Sequence, residues 1–331
     1  MGDYITIKGS TVQSLASDPS NPIEGQVWYN TTSGVLKGRA GIPAGAWSSG
    51  GTINTTRSYM GAAGASNTAA LVYGGDDGVG SRYQDVTESY NGSAWTEVAD
   101  LNDEYGGGFG FGSQTNAMSA TGATEGHGVL TDSETWDGTS WTSAPVVNTA
   151  RIFGAASGTV STAGLIFGGW FNPSPLLAVT ESYNGTAWTE VADLNTARQY
   201  VGGSQQGSST AALAFGGESP SASAETELWN GTSWTEVNNL NTARTQLKGA
   251  GTSTAALCIG GYIGPNYQVI TEQYDGTSWT EVADLATGIA PGGTTGTTSS
   301  AITVGGETPS KVNTSEEWAD PTYAIKTVTT S

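Results

Sequence analysis

The residues 179–194, V-T-E-S-Y-N-G-T-A-W-T-E-V-A-D-L, are a phrase that the chain repeats. It returns almost letter for letter at 86–101 and 270–285, and more loosely at 131–145 and 225–240. A signal tryptophan, two or three residues past an Asn-Gly or Asp-Gly, stands at Trp95, Trp141, Trp188, Trp234 and Trp279, at spacings of 46, 47, 46 and 45 residues. A fixed period of that size means stacked similar units, each too small to bury its own apolar face. No stretch carries a sustained apolar period of 3.6, so helix is expected to be scarce.

Each repeat runs through four short segments. The first is Gly/Ala-rich, as in 59–65 and 152–157, and its lack of bulk suits the crowded centre of a radial assembly. The second is apolar and ends in a glycine pair: Gly74-Gly75, Gly168-Gly169, Gly216-Gly217, Gly260-Gly261 and Gly305-Gly306, weakened to Gly122-Ala123 in the second repeat. The third carries Glu-x-aromatic, ending at Tyr90, Trp136, Tyr183, Trp229, Tyr274 and Trp318, and the fourth carries the signal Trp. Short strands in groups of four, separated by turn signals, predict propeller blades.

First, second and third segments each occur six times, but no signal Trp follows Trp318. The unmatched fourth strand is the one around Trp47, 48 residues ahead of Trp95. The sequence therefore predicts an all-β, six-bladed propeller in which the N-terminal strand completes the last blade and leaves few free edges. Three parts are expected: an arm and hairpin at 1–46, the propeller at 47–318, and a tail at 319–331. Within the first, residues 22–37 alternate apolar and polar around a Thr-Ser-Gly turn, which predicts a hairpin. Residues before Ser20 are polar and patternless. Their short alternation Tyr4-Ile5-Thr6-Ile7 suits strand addition to a neighbouring chain, the alternative being a frayed terminus.

An Arg before the first strand, Gly-Gly closing the second, Glu-x-aromatic in the third and Trp at this spacing resemble the kelch repeat over residues 47–318. The turn between third and fourth strands is shortened to Asn-Gly or Asp-Gly. The Trp-Tyr-Asn-Thr-Thr-Ser-Gly segment at 28–34, with the ending Lys326-Thr-Val-Thr-Thr-Ser331, resembles structural proteins of tailed bacteriophages, particularly marine ones. That second likeness covers fewer than 50 residues.

Charge narrows the function classes. The net charge is −19 with 11 Lys and Arg, and no cluster of cations offers a phosphate-binding footprint, so nucleic acid is not an expected partner. No apolar run is long enough to span a membrane, and no signal-peptide core is recognisable. Met1-Gly2 with Thr6 matches a myristoylation pattern without the basic cluster or second lipid that anchoring needs, and reads as coincidence. The sequons at Asn91, Asn184 and Asn230 follow from turn chemistry.

Few residues suggest catalysis. The recurring Glu88, Glu134, Glu181, Glu227, Glu272 and either Glu316 or Glu317 look like carboxylate catalysts, but an active site breaks symmetry and a structural bond repeats. They are expected to bond blade to blade, with Arg57, Arg151, Arg198 and Arg244 as partners. The signal Trp residues, Trp47 included, are expected to fill the core, burying roughly 200 Å² each. Copper chemistry of the galactose-oxidase kind needs several Tyr, Cys and His ligands, whereas this chain has one His and one Cys. Cys258 aligns with Val72, Ile166 and Ala214 as apolar filler. His127 lies in a Gly-flanked segment with no nucleophile motif. Asp76-Asp77 match no calcium loop and read as solvated charge. No enzyme, cofactor or metal is expected.

Strand parity puts the second-to-third and fourth-to-first connections on one face. The second-to-third connections vary, and they carry Arg82, Tyr83, Trp170, Phe171, Tyr262 and Tyr267. Variable aromatic loops on a rigid scaffold suit recognition, the alternative being that they cover blade edges. Two functional readings follow. The preferred one is a non-enzymatic virion structural or adhesion protein, docked by residues 1–46 on other virion proteins or sister copies in a homo-oligomer, with the propeller contacting a host glycan or receptor. The alternative is a free carbohydrate-binding or carbohydrate-processing kelch protein, which a signal peptide or a ligand-rich centre would favour.

Overall fold

The structure, a computed structural model, describes residues 12–19, 26–39, 45–79, 83–125, 128–171, 176–290, 292–320 and 325–327. Every regular element among them is a strand. The chain divides into two compact units, Gly45–Asp320 and a smaller one made of Met1–Ala44 with Pro321–Ser331.

In the smaller unit, Val27–Asn30 and Val35–Arg39 form an antiparallel hairpin. Gln13–Leu15 adds parallel to Val27–Asn30, and Ile325–Thr327 adds antiparallel to Val35–Arg39. Residues 13–15 are therefore not a patternless arm. The Leu15 carbonyl accepts the Thr31 amide at 2.8 Å, which ties this stretch to the chain's own hairpin. Residues 325–327, within the C-terminal tail, form a strand of the same sheet. Trp28 is fully buried there. Its indole N–H, the Asn30 amide and the Lys37 ammonium all donate to Asp18, at 3.1, 2.7 and 2.7 Å. Those donors, Lys37 first, hold the Asp18 carboxyl at about 2. The alternation at residues 4–7 lies outside the described residues.

The larger unit is built of four-stranded antiparallel sheets, consistent with a β-propeller. The first holds Gly61–Ser66, Ala69–Tyr73, Thr87–Tyr90 and Trp95–Glu97. The second holds Phe109–Ser113, Asn116–Thr124, Gly128–Trp136 and Trp141–Ala144. The third holds Ala155–Val160, Ala163–Phe167, Thr180–Tyr183 and Trp188–Glu190. The fourth holds Gly202–Gly203, Ala212–Phe215, Thr226–Trp229 and Trp234–Val237. The fifth holds Lys248–Thr252, Ala255–Ile259, Thr271–Tyr274 and Trp279–Glu281. The sixth joins Gly293–Thr297, Ser300–Val304 and Ser315–Ala319 to Ala46–Ser49. In that last pairing Trp318 stands opposite Trp47. The first strands of the sheets lie against one another in chain order, and the sixth lies against the first.

Their composition follows from that closeness. A side chain on Gly249 would meet the Gly203 carbonyl oxygen at 2.3 Å, so only the smallest residues let neighbouring first strands approach. The apolar core sits between adjacent sheets. Phe109, Phe111 and Met118 of the second, for example, pack with Ile166, Tyr183 and Trp188 of the third. Each signal Trp lies against the aromatic that ends its own third strand, with centroids 4.8–5.4 Å apart. Four of them also meet an aromatic of the preceding sheet: Trp141 with Tyr73, Trp188 with Phe111, Trp234 with Phe167 and Trp279 with Phe215.

The glycine pairs close the second strands with positive φ at both positions, +62° and +107° at Gly74 and Gly75. A Cβ on Gly75 would also lie 2.7 Å from the Ser58 carbonyl oxygen. Gly75→Val combines a forbidden backbone conformation with a backbone clash. It is expected to cost on the order of 2 kcal/mol or more, read as a lowered denaturation midpoint; an unchanged midpoint contradicts this. The second sheet departs from the pattern. Its middle strands run to nine residues each, with a bulge at Thr121 and Gly122, whose φ values are +59° and +134°.

Candidate functional site

The recurring glutamates lie in one repeated network. Arg57–Glu88, Arg151–Glu181, Arg198–Glu227 and Arg244–Glu272 are ion pairs at 2.7–2.8 Å with essentially no exposed side-chain surface. The second carboxylate oxygen accepts both the backbone and the side-chain N–H of an asparagine three residues before the arginine. Asn54, Asn148, Asn195 and Asn241 fill this place at 2.7–2.9 Å. Each such Asn follows the outer strand of the preceding sheet, so the carboxylate ties one sheet to the next. The recurring Asn-x-x-Arg is legible in the sequence, but its role as a carboxylate clamp is not.

Two sheets vary the theme. In the second, Tyr105 stands in the arginine's place, Asn102 still donates to Glu134, and burial raises the Glu134 carboxyl above the ordinary range. In the sixth, Ile289 stands there. Glu316 accepts the Ala286 and Thr287 amides at 2.8 and 3.2 Å, while Glu317 accepts the Tyr90 hydroxyl. Glu316 is thus the repeat position.

The signal tryptophans add a second bond between sheets. Trp141, Trp234, Trp279 and Trp47 donate their indole N–H to Thr87, Thr180, Thr226 and Thr271 of the preceding sheet, at 3.0–3.2 Å. Trp188 faces a serine position instead, and its buried N–H has no partner among the described residues. Cys258 is buried beneath Arg244, whose guanidinium reaches its Sγ at 3.0 Å. Burial pushes the thiol to about 11, which makes it a poor nucleophile.

Asp76 is not solvated charge. It is buried and ion-paired with Lys311 of the sixth sheet, because the second-to-third connections of the two sheets meet there. No group of three or more His, Cys, Asp or Glu with metal-holding geometry occurs among the described residues.

The loop residues fall into separate places. Arg82 and His127 lie outside the described residues. Tyr83 bridges to Asp76, with its ring over Gly106. Trp170 bridges to Ile152 and Leu176, and Phe171 beside it is 37% exposed. Among the described loop residues only Tyr262 and Tyr267 meet, across a small hairpin at 5.3 Å, with the Tyr267 hydroxyl donating to Glu307 at 3.4 Å. The described positions belong to the first, third and fifth sheets and do not converge.

A different set of side chains converges where the first strands meet. In the first five sheets the residue two after the arginine position adopts left-handed backbone: Tyr59, Gly107, Phe153, Tyr200 and Gln246, with φ between +55° and +74°. Bulky residues hold that conformation only at a cost of order 1 kcal/mol each. Backbone bonds link them in succession, Gly107 N–H to Tyr59, Phe153 N–H to Gly107 and Tyr200 N–H to Phe153. The rings gather: Phe153 stacks on Tyr200 at 4.5 Å and lies 5.2 Å from Tyr59. Beneath them is a chamber of about 50 Å³ lined by residues from all six first strands and their approaches, Lys248 and Gln205 among them.

The fourth sheet forms the chamber's floor. Its first strand stops after Gly202–Gly203, and Gln205 and Gln206 reach across to other sheets. Gln205 Nε2 donates to the Ala62 and Gly110 carbonyls, and Gln206 Nε2 to Gly64 and Gly112 at 2.6 and 3.1 Å. Gln205 Oε1 is buried without a partner among the described residues. Lys248 is half-buried and has neither hydrogen bond nor ion pair among them. Desolvation pushes its amine down to about 8. Sequence reasoning missed these residues, although a signal was present. Lys248 is the single charged residue in any of the six Gly/Ala-rich first segments, and Gln205-Gln206 interrupt another.

No protein-family model matches the chain, and no curated protein matches it.

Proposed function

We propose that the larger unit is a six-bladed kelch-like propeller closed by the strand Ala46–Ser49, and that the chain is a non-enzymatic bacteriophage virion structural protein. It would be a tail, fibre or other particle-surface component, with the propeller serving adhesion or protein–protein contact. The ring reading is supported by the succession of first strands, in which the sixth lies against the first. It is supported too by the pairing of Trp318 with Trp47 across strands from opposite ends of the repeats.

The observation that carries the functional reading is the division into two units with different uses of their residues. In the larger one the recurring Glu, Arg and Trp are taken up in bonds between sheets, which leaves variable loops and the centre for contact. The smaller sheet is separate from the repeats and suits attachment to other virion proteins or to sister copies. An acidic chain of net charge −19 also suits an exposed, soluble surface more than a phosphate backbone. No described helix is long and apolar enough to cross a membrane.

Gold-labelled antibody against residues 45–320 is expected to decorate intact purified particles. Protein lacking Met1–Ala44 and Pro321–Ser331 is expected to stay folded and monomeric yet fail to incorporate. Label confined to the soluble fraction contradicts the virion assignment, and normal incorporation of the trimmed protein contradicts docking through the smaller unit.

A further inference from the structure

We infer that the chamber between the aromatic residues and the glutamine floor binds a carboxylate, which the Lys248 ammonium takes. The site goes beyond the virion reading and does not depend on it.

The charges on the page single out this lysine. Lys37, Arg57, Arg151, Arg198, Arg244 and Lys311 each have a carboxylate partner. Among the described residues Lys248 has none, and no carboxylate lines the chamber. In a chain of net charge −19 this is a recess where an anion meets a cation and no lining carboxylate. Gln205 closes the floor, its amide N–H groups taken by the Ala62 and Gly110 carbonyls. The Lys248 ammonium is the group left to meet a ligand, and it specifies an anion.

Size and roof restrict the ligand further. About 50 Å³ takes a few waters or one carboxylate group, not a whole sugar ring. The rings of Tyr59, Phe153 and Tyr200 stand over the same lysine, since they and Lys248 line one adjoining cavity. They offer flat apolar surface to whatever carries the carboxylate. Two sources share this chemistry, a free small hydroxy acid and the acidic residue of a glycan.

Calorimetric titration of the full chain with glycolate and with methyl β-D-glucuronoside tests the site. At least one is expected to bind at pH 7, with affinity falling about tenfold or more in Lys248→Met and on raising the pH to 9.5, as the amine loses its proton near 8. The other titratable groups lining the two cavities, among the described residues, are the phenols of Tyr59 and Tyr200; burial raises that of Tyr59, keeping it neutral over this range. On the unmodified chain, bound ligand is expected to protect Lys248 from acetic anhydride, read by mass spectrometry, which keeps the test valid if the Met variant misfolds. Tighter glucuronoside binding assigns the site to an acidic glycan, and glycolate alone to a free acid. Binding of neither, or binding unchanged in Lys248→Met or at pH 9.5, overturns the inference.

Discussion

Glu227→Gln is expected to lower the stability of the larger unit by about 3–5 kcal/mol, the cost of leaving a buried charge without its counter-ion. The substitution preserves shape, so packing is not the cause. Arg198 stays fully buried, donating to the Gly216 and Glu225 carbonyls at 3.0 and 2.8 Å, but loses the carboxylate 2.7 Å away. One amide oxygen must also serve the Asn195 donors that a carboxylate oxygen satisfied. The molecule supplies its own control. In the sixth sheet Ile289 replaces the arginine and Glu316 accepts only backbone amides, so Glu316→Gln is expected to cost less than about 1 kcal/mol. Adding Arg198→Ile to Glu227→Gln imitates that sheet and is expected to recover part of the loss, a non-additivity that a double-mutant cycle in guanidinium chloride reads directly. Equal midpoint changes for Glu227→Gln and Glu316→Gln would show that the buried arginine is irrelevant.

Removal of residues 45–50 from the isolated repeat unit is expected to abolish its cooperative unfolding. A protein of residues 45–320 retains Ala46–Ser49 as the outer strand of the sixth sheet, whereas one of residues 51–320 does not. The loss is larger than four ladder positions. Trp318 is completely buried, with the Trp47 ring 5.4 Å away and Gly45 so close that a Cβ there would overlap its indole. Trp47 also donates to Thr271 of the fifth sheet at 3.0 Å, so the same strand couples two sheets. Stripping it uncovers a buried aromatic, worth about 3–5 kcal/mol in a core, and exposes Ser315–Ala319 as an unpaired edge open to association. Scanning calorimetry and near-ultraviolet circular dichroism of the two proteins make the comparison. If residues 51–320 melt within a few degrees of residues 45–320, the strand does not hold the unit together.

Much of the larger unit was legible because its signals are local and repeated. Alternating short segments, glycine pairs and Asn-Gly turns predict strands and their ends from a few neighbouring residues, and repetition averages out lapses such as Gly122-Ala123. Glu-x-aromatic was readable as structural for the same reason, since a catalytic group has no cause to recur in every sheet. Asp76 was misread because its partner, Lys311, lies 235 residues away. Residues 13–15 were misread, and 325–327 gave no strand signal, because a short strand with little apolar content gives no periodicity, and only its neighbours make it one.

The amino-acid sequence by itself therefore determined the all-β character, the period and the positions of the packing tryptophans and carboxylates, each set by chemistry within one repeat. Only the tertiary structure decided what stands at the centre. Tyr59, Phe153, Tyr200, Gln205 and Lys248 come from four sheets, and Gln205 bonds to Ala62 across 143 residues. Their meeting depends on how the first strands gather around one cavity. No local pattern encodes that convergence, because each of these side chains departs from its repeat in a different way.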